Sequence, residues 1–183
     1  ENTTIDLIAH KSPNSLMAEA YRSVRTSLLL SAPDHPPKSI VITSALPSEG
    51  KTATAVNTAV SLTQTGSRVI LIDADMRKPR LHQIFGTNGG AGLSNFLSGS
   101  AGLKEVIRET AVPNLFVVPC GAVPPNPAEL ILSDRLRRMI EALSQYFDFV
   151  ILDTPPLLNV SDARILSTAC EASILVVKAF STS

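Results

Sequence analysis

A short stretch that follows an apolar run carries the residue types that bind phosphate. Gly50, Lys51 and Thr52 come after the apolar residues 40–42 and open a pattern typical of a helix. A lysine brings a positive charge to phosphate oxygens, and a threonine hydroxyl is a ligand for Mg²⁺. Backbone N–H groups at the start of a helix add partial positive charge. The residues predicted to bind a nucleotide are Glu49, Gly50, Lys51, Thr52 and Ala53.

The loop departs from the usual phosphate-binding pattern at its start. Ala45 stands where that pattern has its first glycine. The alternative for this stretch alone is a turn between a strand and a helix that happens to contain Gly50, Lys51 and Thr52. The rest of the chain therefore has to decide between the two interpretations.

Acidic residues close two apolar runs downstream of the loop. Asp73 ends residues 68–73 and is followed by Asp75, and Asp153 ends residues 149–153. Ligands of open parallel sheets bind at the carboxyl ends of the strands, so we expect these carboxylates beside the phosphate loop. Carboxylates hold Mg²⁺ directly or through its waters. The combination of loop and carboxylates predicts a metal–nucleotide site.

These residues are predicted to bind Mg²⁺ and to act in catalysis, and Asp73 is assigned to both roles. The expected Mg²⁺ ligands are Thr52, Asp73 and Asp153. Asp75 reaches the same cleft and is the better candidate to accept a proton from an attacking hydroxyl group. The residues predicted to act in catalysis are Lys51, Asp73 and Asp75. For any single aspartate at a strand end, a turn or a helix cap is the alternative.

Composition limits the class of protein. The chain has 183 residues, of which 44% are hydrophobic, as in one globular domain with a sizeable core. Its formal net charge is zero, which argues against nucleic acid as a partner. Cys120 and Cys170 have no metal-ligand spacing, so we expect reduced thiols. The sequence has no apolar run of membrane-spanning length and no secretory signal.

Helical and strand patterns alternate along the chain. The sequence predicts strands over residues 39–43, 68–73, 115–119, 149–153 and 173–178. It predicts helices over residues 15–30, 52–64, 129–146 and 161–168, the last one capped by Ser161, with short helices over 93–97 and 103–108. Residues 73–92 are predicted as a loop. This order indicates an α/β fold with a mostly parallel sheet flanked by helices on both faces.

The predicted domain boundaries are simple. Residues 1–14 are polar apart from one apolar patch at residues 5–9 and are predicted to be an extended arm or linker. Residues 15–183 are predicted to be a single domain. Because the chain starts at Glu1 instead of Met, we expect it to be a piece of a longer protein.

Three stretches together resemble the bacterial tyrosine kinases, the cytoplasmic domains of polysaccharide co-polymerases. They are residues 43–52, 70–79 and 149–156, which resemble that family's Walker A, Walker A′ and Walker B signatures. A fourth likeness lies near the start of the chain. There, Glu19, Arg22 and Arg25 resemble the family's ExxRxxR helix, which mediates ring assembly.

The resemblance implies a three-layer P-loop NTPase fold and an ATP:protein-tyrosine phosphotransferase that uses ATP and Mg²⁺. It implies a ring of identical subunits that phosphorylate each other and regulate exopolysaccharide or capsule polymerisation and export. The implied partners are the periplasmic and transmembrane co-polymerase region and a tyrosine phosphatase. The implied location is the cytoplasmic side of a bacterial inner membrane.

The sequence also departs from that family. Ser48 stands where the family often has glycine, and the only tyrosines are Tyr21 and Tyr146. We therefore expect either that this sequence stops short of the family's tyrosine-rich tail or that this member lacks self-phosphorylation sites. Two alternatives use the same fold: an ATPase switch of the MinD/ParA type and a non-catalytic assembly module. A MinD/ParA switch has a lysine near the start of its loop, where this chain has Ser44 and Ala45.

Basic residues follow Asp75, and their role is open at the level of sequence. They are Arg77, Lys78 and Arg80. One interpretation is that they neutralise phosphate charge or contact a neighbouring subunit, and the other is that they only solvate a loop.

Overall fold

A parallel sheet forms the centre of the computed structural model, which describes residues 3–32, 34–87, 89–158 and 162–179. The sheet has six strands in the order β3-β4-β2-β5-β1-β6. All neighbours pair in parallel except β3, which runs antiparallel to β4 at one edge. The strands are β1 (Ser39–Ser44), β2 (Val69–Asp73), β3 (Arg108–Glu109), β4 (Leu115–Val118), β5 (Phe149–Asp153) and β6 (Ala172–Val176).

Helices connect the strands and cover both faces of the sheet. In chain order they are α1 (Thr3–Asp6), α2 (Ile8–Lys11), α3 (Leu16–Leu29), α4 (Lys51–Thr63), α5 (Leu81–Ile84), α6 (Leu93–Ser98), α7 (Leu103–Val106), α8 (Pro127–Ile131), α9 (Asp134–Leu143) and α10 (Asp162–Ser167). Among the described residues, no helix is both long and apolar enough to cross a membrane.

Two hydrophobic cores lie on opposite faces of the sheet, because successive side chains of a strand point to opposite sides. On β1, Ile40 and Ile42 pack in the core that contains α4, whereas Val41 packs in the core that contains α9. The central strands β1, β2 and β5 are buried along their whole length. This arrangement confirms the predicted α/β class with helices on both faces.

Several predicted elements differ from those observed. The prediction of an extended arm at the N-terminus is wrong, because residues 3–11 form α1 and α2. The helix predicted over 129–146 is divided, since residues 132 and 133 separate α8 from α9. The loop predicted over 73–92 contains α5, and the short strand β3 was not predicted. The cap predicted at Ser161 lies outside the described residues.

Candidate nucleotide site

The sheet register brings the predicted acidic residues together. Asp73 on β2 pairs with Asp153 on β5, and Asp153 also stands opposite Ile42 on β1. Both aspartates close their strands at the carboxyl edge, where the chain after β1 forms the loop that leads into α4. The order of strands and helices in the sequence correctly predicted this common edge.

The loop after β1 has the backbone shape of a phosphate cradle. Gly50 has a φ of 90° immediately before α4, a conformation that glycine adopts without steric cost. Ser48 has a φ of 65°, in the left-handed region that favours glycine. The N–H groups of the first helical turn, including those of Lys51, Thr52 and Ala53, lack intrahelical carbonyl partners, so they are available to an anion.

The Glu49 side chain stabilises the loop itself. Its Oε2 accepts a hydrogen bond from the Leu46 backbone N–H at 2.7 Å, and its Oε1 accepts one from the Lys178 N–H at 3.2 Å. The carboxylate therefore links the loop to the segment that follows β6. This geometry makes Glu49 a support of the cradle, and its predicted nucleotide contact stays a prediction.

Lys51 lies at the centre of a buried charge cluster. Its Nζ is 2.8 Å from Asp75 Oδ2 and 3.4 Å from Asp153 Oδ1. The Thr52 hydroxyl donates to Asp153 Oδ2 at 2.7 Å. Asp75 also accepts a hydrogen bond from the Lys78 backbone N–H. The structure thus unites four of the predicted site residues: Lys51, Thr52, Asp75 and Asp153.

Burial and charge act on the ionisation of this cluster. Burial by itself lowers the pKa of Lys51, but the carboxylates of Asp153 and Asp75 outweigh it, and the net pKa is raised. Burial raises the pKa of Asp153, against the opposing effects of Lys51 and Thr52. A cation near these carboxylates therefore relieves the cost of burying negative charge.

Asp73 has a different environment from the other site residues. Its side chain is fully buried, and Oδ2 accepts hydrogen bonds from the backbone N–H groups of Arg80 and Leu81 at the start of α5. Its Oδ1 has no hydrogen-bond partner among the described residues. Burial, followed by the charge of Asp153, raises the pKa of Asp73 to about 7. Asp73 does not line the cavity beside Lys51 and Thr52, and its catalytic and metal-binding roles remain predictions.

We expect Asp73→Ala to lower the free energy of unfolding by about 2–4 kcal/mol, because it leaves two backbone N–H groups without an acceptor. Chemical denaturation of the nucleotide-free protein measures this loss. Asp73→Asn is the matched control, since it keeps an acceptor oxygen, and a smaller loss is expected. Equal stability of the alanine variant and the unmodified protein would contradict a role in holding α5.

A cleft of about 270 Å³ opens above this cluster. Loop and helix residues form one side, and the segment after β2 forms the other. The cavity is lined by Pro47, Ser48, Gly50, Lys51, Thr52, Asp75, Arg77, Lys78, Arg80, Pro155 and Pro156. The three basic residues whose role was open thus border the same cavity as the phosphate loop. The sequence did not predict the prolines as site residues, because a proline side chain has no group that binds phosphate or metal. Two of them, Pro155 and Pro156, are part of the stretch used for the Walker B resemblance.

The donor set fits a magnesium–nucleotide complex. Mg²⁺ prefers hard oxygen ligands and keeps several of its waters. Thr52 lines the cavity, and its Oγ1 is 2.7 Å from Asp153 Oδ2, so the two side chains offer adjacent oxygen ligands. The helix N-terminus and Lys51 supply the positive charge that phosphates require. Thr52 and Asp153 are therefore the residues of this cluster that fit the metal.

Comparison with known proteins decides the family. A family model described as an AAA domain matches residues 37–182. The chain is 40% identical over 177 residues to the tyrosine-protein kinase YwqD of Bacillus subtilis, and the match covers 97% of this chain and 75% of that protein. The chain belongs to the bacterial tyrosine-protein kinases. The predicted membership is confirmed.

Solved structures of bacterial tyrosine kinases support the same assignment. The kinase domain of Escherichia coli tyrosine kinase ETK superposes with a TM-score of 0.93 at 35% identity, covering 97% of this chain and 69% of that one. MinD of Pyrococcus horikoshii, solved with Mg-ADP, has a TM-score of 0.66 at 28% identity over 76% of this chain and 57% of its own. These likenesses confirm the predicted P-loop NTPase fold, and MinD supports the alternative only loosely.

The predicted assembly residues lie away from the cleft, on α3. Ser15 caps this helix, accepting a hydrogen bond from the Ala18 N–H. Arg22 forms an ion pair with Glu19 and donates to the Pro13 carbonyl oxygen at 2.8 Å. Arg25 donates to the Ser61 carbonyl oxygen on α4 at 2.9 Å. Their role in assembly remains a prediction.

Proposed function

We propose that this chain transfers the γ-phosphoryl group of ATP to tyrosine hydroxyl groups of proteins. The observation that carries the proposal is the joint contact of Lys51 with Asp75 and Asp153 beside the helix N-terminus. This arrangement places a cation beside one carboxylate suited to accept a proton and another suited to bind Mg²⁺. Membership of a family whose relatives are named tyrosine-protein kinases supports tyrosine as the acceptor.

Bound ATP·Mg²⁺ supplies the transferable phosphoryl group and neutralises part of the charge that develops during transfer. Thr52 and Asp153 would hold the metal. Lys51 and the backbone N–H groups of the first turn of α4 bind and orient the phosphates. Most of the catalysis in such reactions is positioning and electrostatic stabilisation, which a rigid loop anchored by Glu49 provides.

Asp75 is the candidate acceptor for the tyrosine proton. It is 4% exposed and lines the cavity. One carboxylate oxygen contacts Lys51 and the other accepts the Lys78 N–H. These two contacts fix the orientation of the carboxylate toward the cleft, which a general base requires.

An ATPase switch is the second candidate function. It would use the same loop and the same aspartates but would pass the phosphoryl group to water. Incubation with ATP·Mg²⁺ followed by mass spectrometry for phosphotyrosine, on the chain and on an added tyrosine-rich peptide, separates the two. We expect phosphotyrosine on the peptide and none with Lys51→Met. Free phosphate without phosphotyrosine would favour the switch, and absence of ATP binding would favour the non-catalytic module.

The proposal includes assembly into a ring through α3. We expect Arg22→Ala to reduce the sedimentation coefficient of the assembled protein while the monomer stays folded, because the Arg22 side chain reaches the surface next to Glu19. Arg137→Ala is the matched control, since Arg137 also pairs with acidic residues of its own helix. Unchanged sedimentation of the Arg22 variant would contradict an assembly role.

The cellular setting is part of the same proposal. The family resemblance supports regulation of exopolysaccharide or capsule polymerisation on the cytoplasmic side of a bacterial inner membrane. It also supports a co-polymerase membrane region and a tyrosine phosphatase as partners.

A further inference from the structure

The N-terminal segment, residues 3–11, is docked on the helix that begins at the phosphate loop. Asn57 of α4 is fully buried, and its Oδ1 accepts a hydrogen bond from the Ala9 N–H at 2.9 Å. Its Nδ2 donates to the Ile5 carbonyl oxygen at 3.0 Å. Leu7 and Ala9 pack into the same hydrophobic core as α4. The segment is therefore held by specific contacts and not only by its chain connection.

An ion pair links this segment to the nucleotide cavity. Asp6 Oδ2 accepts a hydrogen bond from Arg80 Nη2 at 2.8 Å, and the Asp6 side chain is only 6% exposed. The Arg80 side chain is 42% exposed and lines the cavity that contains Lys51 and Thr52. A guanidinium group has five N–H donors, so the bond to Asp6 leaves donors for a ligand.

The backbone of Arg80 is fixed as well as its side chain. Its N–H donates to Asp73 Oδ2 at 3.0 Å, next to the equivalent bond from Leu81. Asp73 thus anchors the main chain of Arg80, while Asp6 anchors its guanidinium group at the far end of the side chain. An arginine held at both ends loses less conformational freedom when it binds a phosphate.

We propose that Asp6 is a positioning residue for the nucleotide site: it holds the Arg80 guanidinium beside the cavity, where it contacts the phosphates of ATP. This inference rests on the proposed function, because it requires ATP in the cavity. It also makes docking of the N-terminal segment and binding of the nucleotide mutually dependent.

The charge of Asp6 allows a sharp test. Coulomb interaction alone predicts that removing a negative charge near the site tightens the binding of an anion. Positioning predicts the opposite, because a released Arg80 has to be ordered again on binding. We therefore expect Asp6→Asn to weaken ATP·Mg²⁺ binding roughly 3- to 10-fold, the cost of ordering one long side chain.

Isothermal titration calorimetry with ATP·Mg²⁺ on four proteins measures this effect: the unmodified chain, Asp6→Asn, Arg80→Ala and the double variant. We expect the double variant to bind no more weakly than Arg80→Ala, since Asp6 acts only through Arg80. Asp134→Asn is the matched control for charge, because Asp134 lies in an exposed ion pair on α9, and we expect it to leave the affinity unchanged.

Hydrogen exchange of the unmodified protein gives an independent test that requires no variant. If docking strengthens ATP binding, ATP must strengthen docking by the same factor. We expect saturating ATP·Mg²⁺ to slow exchange of the Ala9 N–H, which is bonded to Asn57. A structural role without coupling would slow this exchange no more than the nucleotide slows exchange of amides that open only by global unfolding.

Several results would overturn the inference. One is that Asp6→Asn binds ATP·Mg²⁺ as tightly as the unmodified chain or more tightly. Another is that Asp6→Asn lowers the ATP affinity by the same factor in the Arg80→Ala background as in the unmodified chain. Exchange at Ala9 that slows no more than that of the globally protected amides, in a protein that binds ATP, would overturn it as well. Absence of ATP binding by the unmodified chain would overturn the proposed function itself and this inference with it, so the two failures are distinguishable.

Discussion

Lys51→Met is expected to reduce phosphotyrosine formation by about 100-fold or more, the usual loss when one group that stabilises transferred charge is removed. Lys51 Nζ lies within contact distance of the carboxylates of both Asp75 and Asp153. Methionine keeps a flexible apolar side chain of similar length but cannot bind phosphate oxygens. The measurement is the initial rate of phosphorylation of a tyrosine-rich peptide at saturating ATP·Mg²⁺.

Two controls separate this chemistry from loss of folding. Removing one partner of a buried ion pair leaves a buried charge uncompensated, so the melting temperature of Lys51→Met must be measured beside its rate. Lys78→Met makes the same change at a residue that lines the same cavity but holds Asp75 through its backbone N–H. We expect a much smaller loss from it. A folded Lys51→Met protein with a rate within about tenfold of the unmodified one would contradict the assigned role.

Asp153→Asn is expected to remove most of the magnesium dependence of ATP binding. Asp153 accepts a hydrogen bond from the Thr52 hydroxyl and pairs with Lys51, and it is the carboxylate that would hold the metal together with Thr52. Asparagine keeps the shape and an acceptor oxygen but not the negative charge that holds Mg²⁺. We expect the ratio of the ATP affinity in Mg²⁺ to the ATP affinity in chelator to fall about tenfold or more, since the metal loses one charged ligand.

Calorimetry with ATP in magnesium and in chelator measures that ratio. The fold is expected to persist, because Asp75 still pairs with Lys51. Asp134→Asn again serves as the control for a lost negative charge, and its ratio should equal that of the unmodified protein. An unchanged ratio in Asp153→Asn would show that the metal is held elsewhere.

Local patterns predicted the central sheet well. The strands that end in Ser44, Asp73 and Asp153 are apolar on both faces, which is typical of buried parallel strands. Since such strands end at one edge, their terminal residues could be placed in one cleft from the order of the elements alone. The loop shape followed from Gly50, whose backbone conformation few other residues adopt.

Long-range contacts were beyond the reach of the sequence. The helix α5 has only four residues. It begins where the Asp73 side chain accepts hydrogen bonds from the backbone N–H groups of Arg80 and Leu81, seven and eight residues further along the chain. The apolar residues of the N-terminal segment form one short patch without a long helical pattern, so the sequence indicated an arm. Its helices are stabilised by Asn57, about fifty positions away, and no local pattern reports such a partner.

The fate of a labelled γ-phosphoryl group distinguishes a tyrosine kinase from an ATPase in one experiment. A single turnover of the assembled protein with γ-labelled ATP and Mg²⁺, in the presence of a tyrosine-rich peptide, partitions the label between phosphotyrosine and free phosphate. A peptide in which every tyrosine is replaced by phenylalanine is the control. We expect label on the tyrosine peptide and none on the phenylalanine peptide. Label found only in free phosphate with both peptides would contradict transfer to tyrosine.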